Sequence, residues 1–160
     1  MTTPETADET GPYRCTLQVR WSDFDQMGHV NNIRYLEYAQ EARVLFTRAR
    51  FGRYGLGNLP QVVRRTEIDH LRPVLRDSTS VTVQIEVEHV GTTSYTIRET
   101  VFDAAGDTCA VLRVVMVAFD SAHGTAIEIP APVRRVLEAS HPAELDAPRG
   151  GVGTSGGDER

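Results

Sequence analysis

A single stretch of this chain, from Asn32 to about Arg50, carries a sustained helical spacing of apolar residues. Leu36, Ala39, Ala42, Phe46 and Ala49 recur at three- and four-residue steps and form one stripe along a helix. Phe51-Gly52 and the glycine- and proline-bearing run from Gly55 to Pro60 end it. Most of the remaining apolar residues alternate with polar ones, the period of a strand with one buried face. Cys15, Leu17, Val19 and Trp21 do so over Arg14–Trp21. Val81, Val83, Ile85 and Val87 give the clearest case, and Ser94–Phe102 alternates through Tyr95, Ile97 and Val101. Thr108–Phe119 is nearly all apolar and reads as a central strand buried on both faces. Gln61–Pro73 alternates poorly and reads as a strand with a bulge. Ile127–Pro130 suggests a short edge, and Ala131–Ala139 a terminal helix with Pro132 near its start. One long helix can bury its stripe only against the concave face of the sheet these strands make, so the expected class is α+β, with the strands in antiparallel succession.

The chain of 160 residues supports one domain, residues 13–140. Residues 1–12 lack periodicity and residues 141–160 almost lack large apolar side chains, so both are expected to be disordered. The polar, acidic start has no apolar core of a secretory signal, and no run reaches the ~20 apolar residues of a membrane helix, so a cytoplasmic protein without a membrane partner is expected. The net charge of −5 argues against a nucleic-acid partner. All 17 basic side chains are arginine, which excludes lysine Schiff-base chemistry and a Walker-type phosphate loop. Cys15 and Cys109 stand far apart without metal-ligand spacing, and are expected to be small buried residues in a reducing compartment.

Between the first strand and the helix lies Asp23-Phe24-Asp25-Gln26-Met27-Gly28-His29-Val30-Asn31-Asn32-Ile33-Arg34-Tyr35. Two carboxylates, a glycine and a histidine occupy a tight turn, and two asparagines open the helix. Asparagine at a helix start accepts a hydrogen bond from a backbone N–H, while the remaining free N–H groups and the positive end of the helix dipole face the turn. Carboxylate and imidazole thus stand beside a ready-made oxyanion donor, an arrangement suited to acyl transfer.

The pattern Asp-x-Asp-x-x-Gly-His-Val-Asn-Asn-x-x-Tyr-x-x-Tyr, followed by Glu41-Ala42-Arg43, resembles the signature of hotdog-fold thioesterases. It is closest to the 4-hydroxybenzoyl-CoA thioesterase-like branch, and its His-Val-Asn-Asn core also resembles plant acyl-ACP thioesterases. The resemblance runs from about Tyr13 to about Glu138. It implies the hotdog fold, one long helix wrapped by a curved antiparallel sheet. It also implies hydrolysis of an acyl thioester, of CoA or of acyl-carrier protein, to free acid and thiol, with no metal and no cofactor beyond the coenzyme A of the substrate. Asp25 matches the catalytic carboxylate, as nucleophile or as general base. Asp23 reads as a structural turn residue. His29 and Asn31 match members of the acyl-ACP catalytic set; the alternatives are a structural bond from His29 and helix capping by Asn31 and Asn32. The backbone N–H of Asn32 is the candidate to polarise the thioester carbonyl, and Gly28 allows close approach or positive φ.

For substrate binding the candidates are Gly28, Tyr35, Arg64, Arg65, Arg72, Ser94 and Arg98, and Arg76 is a further candidate for the pantetheine-phosphate end of CoA, which needs positive charge. Core packing is the alternative for Tyr35 and Tyr38, and a surface ion pair for Glu41 and Arg43. Hotdog hydratases carry Asp-x-Asn-Pro-x-His; here Asp25 and His29 are four apart and no proline intervenes, which speaks against that chemistry. A non-catalytic acyl-CoA binding module is the other alternative. A lone hotdog domain leaves its helix-free face and a strand edge uncovered, so a homodimer or homotetramer is expected, with the acyl pocket at the subunit interface.

Overall fold

The computed structural model describes residues 10–141 and the backbone of Thr3–Pro4. In chain order the elements are β1 (Thr3–Pro4), β2 (Tyr13–Gln18), α1 (Asn32–Phe51), β3 (Gln61–His70), β4 (Ser80–Val90), β5 (Ser94–Phe102), β6 (Thr108–Asp120), β7 (Thr125–Ala126) and α2 (Ala131–Ala139). A curled antiparallel sheet runs β1-β2-β4-β5-β6-β3, with β7 on the end of β6. It wraps α1, the hotdog arrangement expected from the motif. The short β1 falls inside the stretch expected to lack structure, pairing with Cys15 and Thr16. The rest of the two expected disordered ends, residues 1–2, 5–9 and 142–160, lies outside the described residues.

Alternation decides the core. Val81, Val83, Ile85 and Val87 of β4 are buried, as are Tyr95, Ile97 and Val101 of β5. Ala39 and Ala42 of α1 are fully buried, which lets the helix axis approach the sheet closely. Three details depart from the sequence reading. The first long strand stops at Gln18, and a turn of 3-10 helix at Trp21–Asp23 leaves Trp21 84% exposed rather than buried. The buried face of α1 is rotated toward Tyr35 and Tyr38, leaving Leu36 40% exposed. The last four long strands are not neighbours in succession: β3 skips to the far edge and pairs with β6.

The bulge expected in β3 falls at Arg64, where the register shifts between Val63 and Arg65. Central β6 is buried on its helix side only; its other side carries the exposed Arg113. Glu67, Arg113, Arg98 and Glu86 form one cross-strand row on this helix-free face. Opposite charges flank the two arginines there, so part of the face expected to need cover is a solvated ionic surface. No strand forms over Ile127–Pro130; the short pairing lies just before it, at Thr125–Ala126. Both cysteines are buried free thiols, and burial pushes Cys15 up to about 12, far from a reactive thiolate.

Candidate active site

The loop from Phe24 to Asn31 is held as a miniature ladder. Phe24 bridges Val30, and His29 bridges Leu75 at the approach to β4. The backbone N–H of Asp25 donates to His29 O at 2.8 Å, and that of Gly28 to Asp25 O at 3.1 Å. Gly28 closes this turn at φ +79°, a backbone state that costs other residues, and a side chain there would also meet the Arg76 guanidinium, 3.3 Å from an added Cβ. Arg76 in turn lies over the Phe24 ring, 5.8 Å from its centroid.

The two carboxylates of the turn have separate surroundings. Asp23 is buried, accepts from the Tyr38 hydroxyl and the Arg20 N–H at 2.8 Å each, and lies 3.5 Å from Arg34 Nε. Burial, then the bond to Asp23, pushes the Tyr38 phenol well above its ordinary value, so Tyr38 is a fixed donor. Asp25 is half-buried, and its Oδ1 accepts from the N–H groups of Met27 at 2.9 Å and His29 at 3.3 Å. Those bonds fix the carboxylate while it borders an open cleft of about 420 Å³.

His29, Asn31, Asn32 and Tyr35 also line that cleft. Asn31 is the helix cap, its Oδ1 accepting from the Ile33 N–H at 3.0 Å. Among the described residues nothing accepts from the N–H of Asn32, the first residue of α1, so it is available to a ligand oxygen. Tyr35 is 2% exposed; its hydroxyl accepts from the Val74 N–H at 3.0 Å, and burial raises its pKa. It therefore belongs to the core with one edge on the cleft wall. Met27 and Val30 of the loop also line the cleft, and the end of β3 and the turn after it supply His70, Leu71, Arg72 and Pro73.

Gly28 sits in the loop between two lining residues, and Arg72 lines the cleft while pairing with Asp107 at 2.9 Å. Arg64, Arg65, Ser94 and Arg98 are outside it. Arg64 is the bulge residue, Arg65 pairs with Glu67, and Arg98 stands opposite Glu86 and Arg113 on the helix-free face. Ser94 opens β5 opposite Val117, toward the other end of the sheet. Arg43 does not make the expected surface pair with Glu41. It reaches the fully buried Glu99 at 2.6 Å, 56 residues away, and borders a second cleft of about 480 Å³ with Val44, Gln61, Val63 and Met116. The first cleft takes the start of α1 and the end of β3; the second takes a later part of α1 and the start of β3.

Of the lining residues that the sequence reading missed, Leu71 and Pro73 are apolar and His70 is the titratable one. Its edge contact with the Tyr35 ring, centroids 5.0 Å apart, pairs residues on separate elements, and a lone histidine at the end of a strand gives no local signal. Among the described residues no three of histidine, cysteine, aspartate and glutamate gather as metal ligands. A fixed carboxylate and a free helix N–H on the wall of one cleft are the groups that can direct water or a carboxylate oxygen at a carbonyl and hold that carbonyl's oxygen.

A family model described as the thioesterase-like superfamily matches residues 19–137. Among solved structures, one of a protein described as a predicted thioesterase from Bacillus stearothermophilus is 26% identical, over 82% of this chain and 99% of its own, with a TM-score of 0.72. A Thermus thermophilus thioesterase complexed with coenzyme A and Zn is 28% identical, over 79% of this chain and 97% of its own, with a TM-score of 0.69. A Pseudomonas aeruginosa protein is 25% identical, over 82% and 92%, with a TM-score of 0.70. No curated protein matches the chain.

Proposed function

The chain belongs to the thioesterase-like superfamily, and from that membership we propose that it hydrolyses acyl-CoA thioesters to free acid and thiol. The observation that carries this reading is the pairing of the Asp25 carboxylate with the free N–H of Asn32 in one open cleft. In the proposed reaction the thioester oxygen rests on the Asn32 N–H, which meets the negative charge as it develops. Asp25 attacks the carbonyl carbon or takes the proton of an attacking water. Asn31 sets the angle of the helix start, and His29 fixes the loop through its backbone while its ring borders the substrate.

Coenzyme A is favoured over a carrier protein as the thiol because the Thermus thermophilus neighbour was solved with coenzyme A. Arg72, on the cleft wall, and Arg76, whose guanidinium reaches the Asp25 carbonyl oxygen at 3.4 Å, are the residues we assign to its phosphates. Among the described residues no strand pairs with the outer edge of β3, and that edge, with Val62 39% and Val63 47% exposed, supports a homodimer closed edge to edge. No described helix is long and apolar enough to cross a membrane, and we assign the enzyme to the cytoplasm. A thiol-release assay across short, long and aromatic acyl-CoAs tests the reading. Turnover of at least one of them is expected; tight acyl-CoA binding with no turnover would make the protein a binding module instead.

A further inference from the structure

We infer that His70 is a second proton-handling group of the reaction, delivering a proton to the departing thiolate. The inference rests on the hydrolase reading above. His70 and Asp25 border the same cleft from different elements, the end of β3 and the loop before α1, with the helix start at Asn32 also on its wall. The imidazole is braced edge-on against Tyr35, ring planes at 82°, and Tyr35 is itself held by the Val74 N–H. Among the described residues no hydrogen bond engages the ring of His70, which is exposed, so the imidazole is not committed to the scaffold. The titratable groups around it are Asp25 and His29 from the loop, Tyr35 from α1, and Arg72, which makes an exposed ion pair with Asp107. Imidazole is the side chain suited to passing protons near neutral pH. Of the two in the cleft, His29 has both its backbone groups tied into the loop ladder that positions Asp25, whereas His70 contributes no such bond to the loop.

The step balances with Asp25 as base. Water oxygen bonds the acyl carbon while its proton passes to Asp25. The C–S bond breaks with its electron pair on sulfur, and sulfur takes the imidazolium proton of His70. The proton on Asp25 then returns to His70 through solvent, and acid and thiol leave. With Asp25 as nucleophile, His70 protonates sulfur in the same way, and then takes the proton of the water that hydrolyses the aspartyl–acyl anhydride.

Leaving-group acidity tests the role. The acyl group turned over fastest in the panel is presented both as its CoA ester and as its 4-nitrothiophenyl ester, whose acidic thiol departs without a proton. His70→Ala and His70→Gln are compared with wild type, alongside their melting temperatures. We expect kcat on the CoA ester to fall by ~10² or more, the usual loss of an acid catalyst, and on the aryl ester by less than ~10. Equal losses on both esters, or none on either, overturn the role while leaving the hydrolase reading intact. If Ala unfolds the protein, the isosterically closer Gln carries the comparison. A wild-type protein inactive on both esters overturns the hydrolase reading and this one together.

Discussion

The Tyr38 hydroxyl donates to the buried Asp23 carboxylate at 2.8 Å, tying the helix to the turn that precedes it. This bond, with those from Arg20 and Arg34, separates the roles of two carboxylates that stand two residues apart in sequence. Asp23 is consumed by the scaffold, and Asp25 faces the cleft. Asp25→Asn keeps an oxygen to accept from Met27 and His29, so it should fold normally. Its kcat should fall by ~10² or more with KM little changed. Asp23→Asn and Tyr38→Phe should instead lower stability by about 1–3 kcal/mol, because each leaves a buried partner unsatisfied. Steady-state kinetics and denaturant melts on the three variants check the division; a kinetic loss in Asp23→Asn without destabilisation would move the catalytic assignment.

Gly28→Ala should be harmful for a backbone reason. The residue holds φ at +79°, where an L side chain costs about 1–2 kcal/mol, and its Cβ would crowd Arg76. Stability should drop by that order, and kcat with it, since the same turn presents Asp25. A thermal shift assay showing no loss would mean that the loop can relax.

Glu99 should give the protein a pH-dependent stability. Burial, only partly opposed by Arg43, lifts its carboxyl from 4.5 to about 7. The folded state therefore holds this proton more tightly than the unfolded chain. The contribution is complete below about pH 4.5 and is lost as pH rises through about 7. Wild-type stability should decline across that window by up to about 3 kcal/mol from this group. Glu99→Gln, which cannot titrate, should flatten the curve there; parallel curves for the two proteins would refute the assignment.

The edge of β3 should be the self-association surface. Val63→Glu places a charge on the half-exposed apolar part of that strand. Light scattering should find a dimer or larger for wild type and a smaller species for the variant. An active wild-type monomer would refute the proposed closure.

Much of the fold could be read from the chain because burial imposed a simple period. The alternation of Val81, Val83, Ile85 and Val87 follows from one face of β4 lying against the core, and all four are buried. The bulge in β3 showed itself as a failure of that period, and it falls at Arg64. Trp21 misled because it kept the period three residues after β2 had ended, where the backbone had turned. Leu36 misled because apolarity alone does not fix the rotation of a helix; Tyr35 and Tyr38, whose hydroxyls find partners at Val74 and Asp23, turn to the buried side instead.

The sequence by itself determined the class of fold, the place of the turn, and the juxtaposition of Asp25 with the start of α1, because these depend on residues close in the chain. Only the tertiary structure decided that His70 shares a cleft with Asp25, and that Arg43 turns inward to Glu99 instead of pairing with Glu41. Both follow from long-range pairing: β3 skips past its neighbours in sequence to the far edge, and β5 presents Glu99 beneath α1. No local period records which strand will lie beside which, since that is set by how the whole sheet closes around one helix.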